Sequence, residues 1–350
     1  MNTYNDYHLG FKEHNQKMIE STYKNEMKGN NKRTLVFSYD DDGDCVNAGS
    51  RTEDNKDIIE INTKVLLEIY SMAYTLFSQP VFLPNIGNAN NESPALIRAT
   101  YNKSIDKILL TGEPKDEKRG VLARYLGFSG CQFILLHELG HILNGHTELM
   151  TSLGLAENGF NMIAKAILDQ KIDCYTGYSL DRRTLEMDAD AFAYSTTFQE
   201  ILAMFSDKDD FYINHLSNPI DIFFLYGVMH MLVFLYLEYE FPIAYDKKNT
   251  YLPNSCRYAL GFGIFEKILQ DNGFTQGYIN IILPRILGGG KIASKFFNMI
   301  YHTDYNFLEM AVHDNNLKEY VDEVNTHWEK EMKRRLKKYR ITKLFNEEDN

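Results

Sequence analysis

The longest apolar segment of the chain, residues 222–237, restricts its fold more than any other feature. Its sequence is IFFLYGVMHMLVFLYL; it contains His230 and is flanked by Asp221, Glu238 and Glu240. A membrane-spanning helix needs about 20 apolar residues and usually carries basic residues on its cytoplasmic side. Because this segment is shorter and has acidic flanks, we predict a helix buried in the protein core, with membrane contact as the alternative.

The remaining pattern predicts an α+β fold with a small N-terminal sheet and a mainly helical C-terminal half. Residues 34–63 contain two β-rich stretches, TLVFSY and DIIEIN, separated by the turn-like DDDGD. Residues 65–77 carry apolar side chains at helical spacing, and residues 95–110 can hold further strands. Beyond Ser129 the chain is predicted to be mostly helical, with one of its breaks at 284–290.

Composition divides the chain into three regions. Residues 1–33 form a polar N-terminal segment that is predicted to pack loosely. Residues 34–315 are predicted to form the main domain, and residues 316–350 a charged helical extension. The basic run of this extension, KEMKRRLKKYR, is predicted to be a solvated helix face, with docking to a partner or to anionic lipid as the alternative.

Charge and cysteine usage limit the compartment and the partners. The net charge of −11 disfavours a nucleic-acid partner, because a phosphate backbone would be repelled. The four cysteines, Cys45, Cys131, Cys174 and Cys256, lie far apart without a C-x-x-C pair, which favours a reducing compartment. The N-terminus has no apolar signal-peptide core, so we predict a cytoplasmic protein. The sequence does not indicate the oligomeric state.

The motif that carries chemistry is HELGH, within the run GFSGCQFILLHELGHILNGH. Ser129 followed by Gln132 matches a capping box and predicts that a helix begins there. His137 and His141 are four positions apart, which places both imidazoles on one helical face, as two ligands of one zinc ion require. Glu138 lies beside the first histidine, where its carboxylate can reach a metal-bound water.

A catalytic zinc also needs a third protein ligand and an open fourth position. The long histidine-ended signature would need histidine where Thr147 stands, and His146 is rotated away from the ligand face. Glu157 and Glu186 are the remaining alternatives. Glu186 shares a helical face with Asp190, whose carboxylate can accept the free ring N–H of a ligand histidine. We predict Glu186, because Glu157 has no such acidic residue four positions later.

HELGHILNGH followed by E-x-x-A-D-x-F-A resembles the gluzincin metallopeptidases. The most similar groups by pattern are the CAAX-prenyl-protease and HtpX-type peptidases and the Lit-type phage-exclusion peptidases. The resemblance covers residues 125–260 and is specific at these two motifs. It implies a zincin-like fold, Zn²⁺ as cofactor, Glu138 as general base and Asp190 as the residue that orients a ligand histidine. The ligands that it implies are His137, His141 and Glu186.

A later motif of these families is present in altered form. Related peptidases carry a histidine-proline motif with an arginine six residues beyond the histidine. That histidine helps to hold the oxyanion. Here TYLPNSCR places Tyr251 and Arg257 at the matching spacing, with tyrosine in place of histidine. A phenol can donate the same hydrogen bond. His215 and His230 are alternative donors.

Together these features predict a zinc-dependent endopeptidase that hydrolyses a protein or peptide substrate. The resemblance to the Lit-type peptidases implies a role in bacterial phage exclusion. Two other functions remain in play. One is a non-proteolytic, zinc-containing interaction or regulatory module, and the other is a membrane-associated peptidase similar to the prenyl proteases.

Overall fold

The computed structural model describes residues 10–27, 33–42, 47–155, 160–161, 177–207 and 210–342. The fold is α+β and mostly helical, with a small N-terminal sheet, as predicted. The strands are β1 (Thr34–Asp40), β2 (Ala48–Glu53), β3 (Lys56–Asn62), β4 (Ala99–Asn102), β5 (Lys107–Leu110) and β6 (Phe160–Asn161). The α-helices are α1 (Phe11–Glu26), α2 (Thr63–Phe77), α3 (Glu117–Leu143), α4 (His146–Ser152), α5 (Tyr178–Ser206), α6 (Asp221–Glu240), α7 (Asn254–Asp271), α8 (Gln276–Tyr301), α9 (Phe307–His313), α10 (Asn315–His327) and α11 (Lys333–Leu336).

The main sheet places strand β2 beside the helix that carries HELGH. Its strand order is β1-β3-β2-β6; β1 is parallel to β3, and β2 is antiparallel to both of its neighbours. Ile59 and Ile61 of β3 are fully buried. Ser50 and Thr52 of β2 are also buried, although both are polar. Buried hydroxyls need hydrogen-bond partners, and these two find them on α3 and α4. Strands β4 and β5 form a separate hairpin.

Helix α3 begins earlier than the capping-box prediction, which is wrong. The N-cap is Asp116, whose side chain accepts a hydrogen bond from the backbone N–H of Arg119, and Ser129 lies inside the helix. The guanidinium of Arg119 is fully buried and donates to carbonyl oxygens of the last residue of α2 and of the segment that follows it. Nearly every residue of α3 is buried, so no polar face marks its true start in the sequence.

Small residues let helices α3 and α5 approach closely. A Cβ atom built on Gly140 would lie 3.1 Å from Cβ of Phe192 and 3.2 Å from the carbonyl oxygen of Ala189. Ala189 and Ala193 are themselves fully buried. This contact brings the acidic motif of α5 against the histidine motif of α3.

The long apolar segment forms helix α6, which packs against α8. Among the described residues, Asp221–Glu240 is the one helix long and apolar enough to cross a membrane, and 83% of its apolar window is buried inside the protein. The predicted break at 284–290 is wrong, because α8 continues through Pro284. Its glycines serve close packing instead: a Cβ atom on Gly289 would lie 2.0 Å from the carbonyl oxygen of Phe224 in α6.

Both terminal regions pack more tightly than predicted. In the N-terminal segment, helix α1 buries Phe11, Ile19 and Tyr23 against the core, so loose packing is wrong for this part. In the C-terminal region, α10 packs on α5 and α7. The basic run is only partly a solvated face, because Arg335 forms an ion pair with Asp181 and the residues Met332 and Leu336 are buried.

Candidate metal centre

Three side chains from α3 and α5 converge as the sequence predicts. The Nε2 atoms of His137 and His141 are 3.1 Å apart. The carboxylate oxygens of Glu186 lie 3.4 Å from Nε2 of His137 and 3.7 Å from Nε2 of His141. Ligand atoms bound at about 2.0–2.2 Å to one tetrahedral zinc are themselves about 3.3–3.6 Å apart. The spacing therefore fits a single cation, and this buried group can bind a metal ion.

The hydrogen-bond inventory supports the same conclusion. Oε2 of Glu186 and Oε1 of Glu138 are buried and have no hydrogen-bond partner among the described residues. A buried carboxylate oxygen without a donor is costly. A cation bound by Glu186, with a water beside Glu138, would satisfy both atoms. Within the described part of the chain, no other set of histidine, cysteine and acidic side chains forms such a group. The alternative ligand Glu157 lies outside the described residues.

The outer ring nitrogen of His137 is held by the carboxylate that the sequence predicts. Nδ1 of His137 lies 2.8 Å from Oδ1 of Asp190. Arg257 donates to both oxygens of Asp190, at 2.7 Å each. Burial would raise the pKa of Asp190, but Arg257 and His137 lower it to about 2. The anionic carboxylate accepts the Nδ1–H proton, which leaves Nε2 of His137 to bind a metal ion.

Without a metal ion, both ring nitrogens of His137 carry a proton at neutral pH, so the ring is positively charged. Burial would lower its pKa, but Asp190 and Glu186 raise it to about 9. The pKa of His141 is well below its usual value because of burial and the charge of His137. Metal binding at neutral pH must therefore displace a proton from His137.

Glu138 has the environment of a proton acceptor that works near neutral pH. Its carboxylate is fully buried, and Oε2 accepts a hydrogen bond of 2.9 Å from Oγ of Ser50. Burial, together with the charge of Glu186, raises its pKa to about 7, although His137 and Ser50 lower it. Ser50 was not predicted from the sequence. Its strand AGSRTE has no amphipathic alternation that would reveal the position of one serine.

The later motif reaches the site through two different contacts. Arg257 lies behind Asp190 rather than at the ligand atoms. It donates to that carboxylate, and its Nη2 is also 3.5 Å from Nδ1 of His137. The hydroxyl of Tyr251 accepts a hydrogen bond of 3.2 Å from Nη2 of Arg182. Burial and the charge of Glu186 raise the pKa of Tyr251, so its phenol is neutral and can donate.

Arg182 is a residue that the sequence analysis missed. It is buried on α5, one helical turn before Glu186. Burial would lower its pKa, but Tyr251 and Glu186 raise it, so the guanidinium is charged. The E-x-x-A-D motif starts after Arg182, and only the spacing of four residues to Glu186 would have indicated it.

The two alternative donors lie in other surroundings. His215 is at the end of the short 3₁₀-helix Ile213–His215, and its Nδ1 is 2.7 Å from the carbonyl oxygen of Phe211. His230 is buried among four aromatic rings, and neither ring nitrogen has a hydrogen-bond partner in the described structure. These rings belong to Phe133, Tyr194, Tyr226 and Phe265.

Comparison of the chain with protein-family models, with curated proteins and with solved structures finds no match. The function is therefore argued from the geometry and chemistry of the site and from the sequence motifs.

Proposed function

We propose that the chain is a zinc-dependent peptidase of the gluzincin type with a zincin-like fold. The observation that carries the proposal is the buried group of His137, His141 and Glu186 with Glu138 directly beside it. Two imidazoles and one carboxylate form a ligand set that zinc hydrolases use, with a fourth position for water. Imidazole ligands favour zinc over magnesium or calcium, which prefer oxygen ligands.

The residues around the site have distinct roles in peptide hydrolysis. Zinc in this site would supply an acidified water and polarise the scissile carbonyl. Glu138 accepts a proton from the attacking water and passes it to the departing amine. In the metal-free site burial raises the pKa of its carboxyl, which favours uptake of a proton. Ser50 holds one oxygen of Glu138 and leaves the other free to face the water.

Arg182 supplies a positive charge close to Glu186, and Tyr251 supplies a neutral hydrogen-bond donor. The neutral phenol of Tyr251 can donate a hydrogen bond to the oxyanion that develops on the substrate carbonyl. Arg182, which donates to that phenol oxygen, makes the phenol a stronger donor. Asp190 and Arg257 keep the ring of His137 oriented.

The cellular role is part of the proposal and rests on the resemblance alone. The Lit-type resemblance points to cleavage of a host protein in the cytoplasm during phage exclusion, with a protein or peptide as the substrate. The burial of helix α6 supports a core position over a prenyl-protease-like membrane location.

A second function is favoured by one observation. His137, Glu138 and Glu186 are all at most 1% exposed, which is also the environment of a structural zinc in a non-proteolytic interaction module. The two functions differ in the fourth coordination position, which is open in a catalytic site and closed in a structural one.

Metal analysis combined with a zinc-directed inhibitor tests the proposal. The wild-type protein is expected to contain one zinc ion, Glu186→Ala to lose it, and Glu157→Ala to keep it as a matched control. A small hydroxamate should raise the melting temperature of the zinc-loaded wild type, because it needs an open position. Zinc that binds without any hydroxamate shift would favour the structural function, and absence of zinc would overturn both.

A further inference from the structure

Another buried acid of α5 gathers polar side chains from two other parts of the chain. This acid is Asp188, two residues after the ligand Glu186. Its Oδ2 lies 2.9 Å from Nε2 of His146 and accepts a hydrogen bond of 2.8 Å from Nδ2 of Asn144. Arg340, close to the C-terminal end of the described chain, also donates to Oδ2. All four side chains are less than one-tenth exposed.

The hydrogen bonds of this cluster determine which nitrogen of His141 carries a proton. The carboxylate of Asp188 only accepts, so Nε2 of His146 carries a hydrogen and its Nδ1 is an acceptor. Nδ1 of His146 is 2.9 Å from Nδ1 of His141. His141 must therefore donate from Nδ1, and its Nε2 keeps the lone pair. That Nε2 is the atom that faces His137 and Glu186 in the metal centre.

The C-terminal segment, residues 339–342, packs on the end of α3 next to this cluster. Nη1 of Arg340 donates to Oγ1 of Thr342, which donates to Oδ1 of Asn144 at 2.6 Å. The backbone N–H of Ile341 donates to the carbonyl oxygen of Leu143 at 2.8 Å.

Gly145 is required for this fit. Its φ of 80° is a conformation that favours glycine, and a Cβ atom there would lie 2.6 Å from the backbone of Tyr339. The chain therefore turns sharply after His141 to let the C-terminal segment approach.

The two histidine ligands are thus oriented in different ways. For His137 the carboxylate of Asp190 contacts the ring directly. For His141 a second imidazole stands between the ring and the carboxylate of Asp188. A two-ring relay has one more tautomer to fix, so it depends more strongly on an anchored carboxylate.

We propose that Arg340 is a positioning residue of the metal centre, which fixes the metal-binding tautomer of His141 through Asp188 and His146. The C-terminal segment then helps to position a ligand of the metal centre. The inference rests on the proposed function in so far as His141 binds a metal ion. Without Arg340 the carboxylate of Asp188 loses its charged donor, and neither the orientation of His146 nor its tautomer is fixed.

Zinc affinity of the full-length protein provides the first measurement, by competition with a chromophoric chelator. We expect Arg340→Gln to weaken zinc binding by about 10- to 100-fold, the range for residues that orient ligand histidines. Arg340→Lys should recover part of the loss, because it restores the charge. Arg334→Gln is the matched control, since Arg334 is 77% exposed in the same C-terminal region. This variant should bind zinc as the wild type does.

The second measurement reads the tautomer directly in the metal-free protein. Long-range ¹H–¹⁵N spectra of histidine-labelled protein should show His141 protonated at Nδ1 in the wild type and in Arg334→Gln. Arg340→Gln should show a mixture of tautomers. If Arg340→Gln does not fold, Thr342→Val takes its place, because it is a milder change that keeps Arg340. It should shift the spectrum in the same direction.

The outcomes separate this inference from the proposed function. Equal zinc affinity and an unchanged His141 tautomer in Arg340→Gln would overturn the inference and leave the peptidase proposal standing. Weaker zinc binding and a mixed tautomer in Arg340→Gln would support the inference. If the wild type at the same time cleaves no peptide, the peptidase proposal is rejected. A wild type with His141 protonated at Nε2 would overturn the inference whether or not zinc binds.

Discussion

Ser50 on strand β2 donates a hydrogen bond of 2.9 Å to Oε2 of Glu138 on helix α3, although 88 positions separate the two residues in the chain. This contact ties the sheet to the side chain that we assign as the general base. It also leaves only one oxygen of the carboxylate available to a water.

Replacing Ser50 with alanine should shift the pH dependence of peptide cleavage to higher pH. The hydrogen bond from Ser50 lowers the pKa of Glu138, so its loss raises that pKa. Activity that requires the ionised carboxylate then rises at a higher pH, with a rate at pH 7 about tenfold lower. The measurement is kcat/KM against pH. Ser38→Ala, an exposed change on β1, is the control and should leave the profile in place.

Breaking the ion pair between Asp190 and Arg257 should destabilise the protein strongly. Asp190→Asn leaves the buried guanidinium of Arg257 without its counter-charge and should cost about 3–5 kcal/mol. Arg257→Met leaves Asp190 with protonated His137 as its remaining partner and should cost less. The double variant should cost clearly less than the sum of the two. Urea unfolding of the metal-free variants measures this coupling. The partly exposed pair Arg285 and Asp221 is the reference, with an expected coupling below about 1 kcal/mol. Additive costs at Asp190 and Arg257 would show that the pair does not act as one unit.

The metal-free protein should lose stability as the pH rises from 7 to 9. His137 has a pKa of about 9 in the folded protein and about 6.5 when unfolded, so the folded state binds the extra proton in this window. Its contribution is complete below pH 6.5 and lost as the pH passes 9, with a slope of at most about 1.4 kcal/mol per pH unit. Urea unfolding in chelator at pH 7, 8 and 9 measures it.

A matched variant isolates that contribution of His137. His137→Gln should remove most of the slope, and zinc should do the same in the wild type because the metal replaces the proton. A wild-type stability that stays flat or rises between pH 7 and 9 would contradict the assignment. The raised pKa of Glu138 acts in the same direction, but mainly between pH 4.5 and 7.

Replacing His230 with leucine should stabilise the protein and leave peptide cleavage unchanged. Both ring nitrogens are buried among aromatic rings without hydrogen-bond partners in the described structure. Removing them should gain about 1–2 kcal/mol. Thermal unfolding beside His215→Leu, a half-exposed histidine at which we expect little change, checks the direction. A tenfold loss of cleavage in His230→Leu would instead return His230 to the list of oxyanion donors.

The buried group that can bind a metal ion was predictable from the sequence, because the spacing within each of its two halves is local. His137 and His141 share a face within one helix, and Glu186 and Asp190 share a face within another. The close α3–α5 contact was indicated by the alanines of α5. Each of these inferences needs only helical geometry within a few turns.

The residues that the sequence missed act across long separations. Ser50, Arg182 and Arg340 carry no local pattern, and only the folded chain brings them to the site. The start of α3 was misplaced because a helix buried on all sides has no polar face to mark its boundary. The break predicted in α8 failed because glycines that usually end a helix here allow α6 to approach it.

Several predictions from the sequence stay predictions. Cys131 and Cys256 are free and buried, Cys45 and Cys174 lie outside the described residues, and the reducing compartment stays a prediction. The zincin-like fold and the relation to the Lit-type peptidases have no support beyond the two motifs and the geometry of the site.

The central claim is that Glu138 transfers the proton while His137, His141 and Glu186 bind the metal ion. Glu138→Gln and the exposed control Glu117→Gln on the same helix should be incubated with a mixed peptide library and read by mass spectrometry. We predict that both variants contain one zinc ion, and that Glu117→Gln cleaves as the wild type does. Glu138→Gln should lose at least about 100-fold in rate, the usual contribution of a general base. Cleavage by zinc-loaded Glu138→Gln at the wild-type rate would contradict the account.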